Sequence, residues 1–264
     1  MTNWQNSAEA FSRKAAVYDA FGEGHENLTR MRQRVYDHIC AVMPPGGYLL
    51  ELNAGTGLDA VNLAARGFRI HATDIAPGMV AEIERKIGRG EGNGRITSQL
   101  CSFTKLERVA GGPFDGIYSN FGGLNCIDDL TAVTRHLSRL LKPGGIVTVV
   151  IMPRICPWEM ALLLKDWRVA ARRLSGQVTA NVEGVPVATT YFSPRQTRRA
   201  FGPAFRPIRQ EALSLITPTA DNKSFARNHP RLYGRLVRWD ERLSRWPVLR
   251  GWGDFFVMSL KFGD

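Results

Sequence analysis

The chain has 264 residues, 44% of them hydrophobic and 22% charged, which supports one sizeable core and excludes a disordered tail, a collagen-like repeat or a coiled coil. Its net charge of +11 is uneven: residues 1–153 carry 16 Lys and Arg against 15 Asp and Glu, and residues 154–264 carry 19 against 9. The arginine-rich second part leaves an anionic substrate, a nucleic acid or an anionic lipid surface open, beside a merely solvated basic face.

Two helices are expected first, over 7–21 and 27–43. Phe11, Ala15 and Tyr18, then Leu28, Met31, Val35 and Ile39, recur at helical spacing before Pro44-Pro45-Gly46-Gly47 stops the second. Tyr48 to Leu52 reads as a short strand running into Asn53-Ala54-Gly55-Thr56-Gly57, and a helical pattern resumes at Asp59. Strands at 69–73, 96–101, 114–119 and 146–152 alternate with helices from Pro77 and over about 127–141, which predicts a parallel sheet with helices on both faces. Beyond Pro153 the pattern changes to a helix over 156–175, extended or hairpin structure over 178–192, a short helix opened by Ser193-Pro194, and strands at 205–216 and 253–262. Between these last strands, 229–246 reads as a basic amphipathic helix with Leu232, Leu236, Trp239, Leu243 and Trp246 on one side. That pattern suits packing on the sheet, an anionic membrane or an acidic partner.

The polar N-terminus has no apolar signal core, and the longest apolar stretch, Ile146 to Met152, falls far short of the roughly 20 residues that span a bilayer, so a soluble, cytoplasmic protein is expected. Cys40, Cys101, Cys126 and Cys156 show neither a C-x-x-C pair nor metal-ligand spacing; buried thiols and no metal site are expected.

Chemistry concentrates in the turn between the first strand and its helix, where an open parallel sheet places its ligand crevice. Gly55 and Gly57 let backbone approach a ligand, while Glu51 and Asp59 would repel phosphate yet accept hydrogen bonds from an ammonium group. There is no G-x-x-x-x-G-K-[ST], and Ala60 stands where G-x-G-x-x-G has its third glycine, which disfavours a nucleotide pyrophosphate. Asp74 ends the second strand about 20 residues later, the place from which a carboxylate holds a ribose diol. A ligand with ribose and ammonium but no phosphate describes S-adenosylmethionine.

At these residues the chain resembles the class I S-adenosylmethionine-dependent methyltransferases, in particular their type 11/25-like domains. ELNAGTGLDA is similar to the family's glycine loop, ATDIAPGM to its ribose-binding strand end, FDGIYSNFGGLN to its fourth-strand motif, and LSRLLKPGGIVTVVIM to the helix-turn-strand that follows, together covering about residues 45–152. The segment from Phe11 to Tyr18-Asp19 resembles the helix that in many members lids the cofactor. The resemblance implies an N-terminal helical lid over 1–44 and a methyltransferase domain over 45–264, with substrate-cap insertions at about 154–192 and 217–250. The fold implied is α/β: a Rossmann-like, doubly wound, seven-stranded and mostly parallel sheet with an antiparallel edge hairpin.

The same resemblance implies cofactor contacts. Phe11 and Tyr18 would cover the ligand; Glu51, Asn53, Ala54, Gly55, Gly57 and Asp59 would hold its methionine end. Asp74 would take the ribose with Ile75 and Met79 beside it, Ser102 and Phe103 would meet the adenine, and Ser119, Asn120 and Phe121 would lie beside the sulfur. Two departures stand out: Asn53 replaces the first family glycine, and Ser102 occupies the place of an adenine-binding acid. The absence of Asn-Pro-Pro-Tyr argues against exocyclic amines of DNA or protein glutamine as acceptors. His25, in the glycine-rich bend between the first two helices, is the candidate base, and Trp158 and Tyr191 are candidate substrate contacts. The expected activity is methyl transfer to O, N or C of a small-molecule or lipid-like acceptor bearing an anionic group, as in natural-product biosynthesis. An RNA-modifying enzyme, a non-catalytic cofactor-binding protein and peripheral membrane contact stay open.

Overall fold

In a computed structural model, which describes residues 3–161, 167 and 172–263, the short apolar runs pair into one seven-stranded sheet. Its strands are β1 (Tyr48–Glu51), β2 (Arg69–Asp74), β3 (Ile96–Leu100), β4 (Phe114–Ser119), β5 (Leu141–Ile151), β8 (Phe205–Leu213) and β9 (Phe255–Phe262), in the order β3-β2-β1-β4-β5-β9-β8. The order reverses between β1 and β4, so a crevice opens beyond their C-terminal ends. β9 runs antiparallel to both β5 and β8. The expected antiparallel pair therefore forms, with the long segment 214–254 joining its strands and β8 as the edge strand opposite β3.

Alternation along each strand sends neighbours to opposite faces, which divides the core in two. Leu49, Phe255 and Val257 join Met31, Val35 and Ile39 on one face, while Leu50, Phe256 and Met258 join Phe114, Leu137 and Phe201 on the other. The helices over the crevice side are α1 (Asn3–Tyr18), α2 (Glu26–Val42), α3 (Leu58–Ala65) and α4 (Pro77–Gly88). Buried polar contacts fix α2: His38 pairs through Nδ1 with Glu211 and through Nε2 with Ser259 Oγ at 2.8 Å, and Arg34 reaches Glu211 at 3.1 Å.

Several expected elements differ in detail. The helix over 127–141 is two short turns, Thr131–Thr134 and Leu137–Leu140, in a stretch whose β-branched residues favour helix weakly. Of the helix expected at 156–175, Pro157–Met160 is described as helix, while residues 162–166 and 168–171 lie outside the described residues. Residues 178–192 form the hairpin β6 (Gln177–Val182) and β7 (Val185–Thr190), and Ser193 with Gln196 makes a full capping box for the helix Pro194–Phe201. The helix Pro230–Leu243 turns Tyr233 and Asp240 inward, where Arg30 and Arg34 of α2 hold the Asp240 carboxylate at 3.2 and 3.1 Å. That anchor sets the helix's rotation and leaves Leu232 and Trp239 exposed, so the expected apolar stripe is not packed on the sheet. Cys40 is exposed, contrary to the expectation of four buried thiols. Among the described residues no helix is long and apolar enough to cross a membrane.

Candidate cofactor and acceptor site

Beyond the ends of β1, β2 and β4 lies a cavity with about 940 Å³ of space, counted with its open mouth. The turn after β1 forms its floor. Gly57 sits in the left-handed region (φ 78°) at the start of α3, where a Cβ would come within 3.0 Å of Ile83. Gly57 thus shapes the loop without lining the cavity, while Asn53, Ala54 and Gly55 face it.

Asp74 joins this loop to β2. Its Oδ2 accepts from the Gly55 N–H at 2.8 Å and its Oδ1 from the Ala76 N–H at 2.9 Å, and each oxygen keeps a further lone pair for a diol in the cavity. Burial pushes its pKa up to about 6 against the lowering effect of those N–H groups. A hydroxyl pair donates to the carboxylate rather than to the acid. Cofactor affinity is therefore expected to fall as pH drops through about 6, becoming roughly tenfold weaker at pH 5 than at pH 7.5. Calorimetric titration across that range checks it; a flat profile would exclude Asp74 from the contact. The linkage to folding runs the other way: with the folded pKa above the unfolded one, Asp74 favours folding most at low pH and loses that contribution as pH rises to about 6.

Asn53 and the fourth strand explain the departure from glycine. Asn53 Nδ2 donates to Asn120 O at 2.8 Å, and Ser119 Oγ donates to Asn53 Oδ1, which stitches the β1 turn to the end of β4. The side chain fits because residue 123 is glycine; a Cβ there would lie 2.3 Å from Asn53 Cγ. Ser119 is fully buried by this bond and does not line the cavity. Glu51 is buried too: Oε2 accepts from Tyr118 Oη at 2.9 Å, Oε1 has no partner, and burial and then Asp59 hold its pKa well above the ordinary range.

Asp59, Asn120 and Phe121 line the cavity beside Arg32, which the sequence reading missed. Arg32 donates to Asp59 Oδ1, Tyr36 Oη donates to the same oxygen, and Asn120 Nδ2 donates to Oδ2 at 3.1 Å. The Arg32 guanidinium lies over the Phe121 ring, 4.8 Å from its centroid. With its amide nitrogen committed to Asp59, Asn120 presents a buried Oδ1 that has no donor. An orphan acceptor beside a carboxylate fits a ligand ammonium.

The α1 helix covers the opening. Trp4, Ser7, Phe11 and Tyr18 recur on its cavity face, a stripe visible once the Phe11–Tyr18 spacing is extended backwards. Asp19 latches the helix end, accepting from Lys86 Nζ at 2.6 Å and Thr56 Oγ1 at 2.5 Å. Ile75, Met79, Ser102 and Phe103 line the far end, where Ser102 Oγ is engaged with Thr104 Oγ1 at 2.8 Å. Burial raises the Cys126 thiol in the same wall to about 11, so it is a neutral lining group.

His25 is not in the cavity lining. Its Nδ1 accepts from Leu28 N–H at 3.3 Å and caps α2, and its Nε2 donates to Ala220 O at 2.7 Å. The ring is 1% exposed and has no lone pair left for an acceptor proton, so the expectation of a base there is corrected. Trp158 packs edge-on against Phe225 (5.0 Å) and Tyr191 is buried under Arg173 (5.3 Å); neither lines the cavity, so the expectation that they contact substrate is not supported.

A family model described as a methyltransferase domain matches residues 49–145. A demethylmenaquinone methyltransferase of Corynebacterium efficiens is 30% identical over 174 residues, 66% of this chain and 67% of that protein. The chain belongs to the class I S-adenosylmethionine-dependent methyltransferases. S-adenosylmethionine is accordingly the methyltransferase's cofactor. Alignments span half to two thirds of the length of the curated relatives it matches. The fold extends further than sequence identity: the CcbJ methyltransferase of Streptomyces caelestis superposes with a TM-score of 0.61 at 15% identity, covering 95% of this chain and 96% of that one. A geranyl diphosphate C-methyltransferase of Streptomyces coelicolor does so at 0.58 and 15% identity, covering 89% and 80%.

Proposed function

We propose that this methyltransferase acts on a small apolar acceptor that reaches the cavity already ionised, of the phenolate, enolate or carboxylate class on a ring or isoprenoid-like skeleton. The observation that carries this reading is Arg32, a guanidinium paired with Asp59 and stacked on Phe121 in a cavity whose lining mixes polar groups with apolar residues such as Phe11 and Ile127. Asp59 already offsets much of that charge, so the guanidinium would favour an anionic acceptor only through N–H donors left over from that pair. Among the described lining residues, Asp59 is committed to Arg32, Tyr36 and Asn120, Tyr18 and Cys126 are held neutral by burial, and Asp74 would be taken by the cofactor ribose, which leaves no dedicated base. An oxyanion methylated on oxygen needs none, since no proton is lost in the transfer.

When bound, S-adenosylmethionine supplies an electrophilic sulfonium methyl. Asp74 would hold its ribose, the Asn120 Oδ1 its ammonium, and Tyr18 with Phe11 would close the lid formed by residues 1–44. The chain's work is then alignment and exclusion of water, which can carry a large share of such a reaction. The demethylmenaquinone methyltransferases among the relatives support a ring acceptor with an apolar tail. The arginines of Pro194–Phe201, with Arg206, line a separate groove that shares no residue with the cavity, which weakens the RNA reading.

Transfer of labelled methyl is expected to an aromatic acid or another acceptor ionised at neutral pH, and not to RNA. Arg32→Met should raise the acceptor KM by roughly 10–100-fold, the effect of losing one charge-assisted hydrogen bond, with cofactor Kd within about twofold of wild type. Labelled RNA, or an equal loss of cofactor affinity, would overturn the reading; the latter outcome would give Arg32 to the cofactor carboxylate.

A further inference from the structure

We propose that the segment 230–250 docks the protein onto an anionic lipid surface. The inference goes beyond the acceptor reading and holds whatever the acceptor is. Leu232 and Trp239 stand two helical turns apart on the outward side of Pro230–Leu243, with exposures of 48% and 54%; Trp246 (59%) and Val248 (73%) continue the surface in the turns that follow. The hydrogen bond from Gln210 Nε2 to Arg250 O (3.2 Å) lays this segment along β8, where Ile208 is exposed on the same strand. Large apolar side chains so exposed are normally scattered singly. Here they lie along one edge of the sheet.

The charges around them share one sign. Arg231, Arg235, Arg238, Arg242, Arg245 and Arg250 alternate with the apolar groups. Of the segment's two acids, Asp240 is buried against Arg30 and Arg34, leaving Glu241 alone exposed. Arg242 lies over the Trp239 ring at 5.7 Å, so the indole and the guanidinium present a joint surface. Tryptophan settles at the headgroup level of a bilayer, and clustered arginine is drawn to acidic headgroups. An acidic protein would complement the charge, but a lipid interface also accommodates Leu232, Trp239, Trp246 and Val248 without a shaped pocket on the partner.

The test is flotation of the full chain with vesicles of pure phosphatidylcholine and with vesicles containing about one quarter phosphatidylglycerol. Binding is expected to the anionic vesicles, at least about tenfold weaker to the neutral ones, and weakened by about 0.5 M salt. Trp239→Ser with Trp246→Ser, and separately Arg235→Gln, Arg238→Gln and Arg242→Gln, should each cut partitioning by about tenfold or more while cofactor Kd and melting temperature hold. Hydrogen exchange on the wild-type chain should show vesicle-induced protection at 230–250, a readout that needs no variant to fold. Equal binding to both vesicle types, protection elsewhere, or tryptophan variants that lose only self-association or RNA retention would overturn the proposal.

Discussion

Replacing Arg173 with Met is expected to lower the unfolding free energy by about 3–5 kcal/mol and the melting temperature by roughly 10 °C, because it strips buried carboxylates of their shared cation. Arg173, 3% exposed, donates to Glu159 Oε1 and Asp254 Oδ1 at 2.7 Å each and to Asp254 O at 2.8 Å. Asp254 in turn accepts from Ala220 N–H at 2.7 Å, so one guanidinium ties both chain insertions to the start of β9. Cys156, Glu159 and Asp254 bring potential metal-ligand atoms within 4.8 Å of one another, but Arg173 already bridges the two carboxylates. Burial holds Asp254 above the ordinary carboxylate range despite Arg173, whereas Arg172 and Arg173 outweigh burial at Glu159 and hold it below. Without Arg173 both carboxylates should bind protons more readily. The deficit of the variant should therefore shrink as pH falls from 7 towards 5, where protonation relieves them. Thermal unfolding of both proteins at the two pH values measures this. A loss below about 1 kcal/mol would mean that the cluster contributes little net stability, and an equal gap at both pH values would mean that the orphaned carboxylates take up no protons.

Asp74→Asn is expected to weaken S-adenosylmethionine binding by roughly 10–150-fold, the loss of a charged acceptor facing two hydroxyls, with little change in the melting temperature of the cofactor-free protein. Two opposing terms account for the small stability change. Burial raises the Asp74 pKa to about 6, so removing the charge relieves a cost at neutral pH, while the amide nitrogen can no longer accept from Gly55 or Ala76 N–H. Calorimetry and thermal unfolding on the same samples separate the effects. Unchanged affinity with a large melting shift would assign Asp74 a purely structural role.

How much of this was legible beforehand depended on whether a residue's role is set by its chain neighbours. Alternation of apolar runs with glycine turns and helical spacing was enough for the parallel core, the Ser193 cap and the antiparallel strands near the C-terminus, because backbone periodicity and capping are local. The same locality placed Gly55 and Asp74 at the ends of successive strands, where the structure joins them in one hydrogen bond at the cavity. Local pattern misled at His25, which looks available in a flexible bend. Its imidazole is consumed by Leu28, three residues on, and by Ala220, almost two hundred residues away.

The sequence by itself determined the sheet, the strand ends and the kind of ligand they accept, since each follows from short-range spacing of glycine, acid and apolar residues. Tertiary structure decided the rest. Arg32 enters the cavity because Asp59 and Tyr36 hold it there, a partnership between α2 and α3 that no periodicity encodes. Asn53 is tolerated because Gly123, on another loop, leaves room for its amide. Trp239 faces outward because its helix turns Asp240 inward, where Arg30 and Arg34 hold its carboxylate.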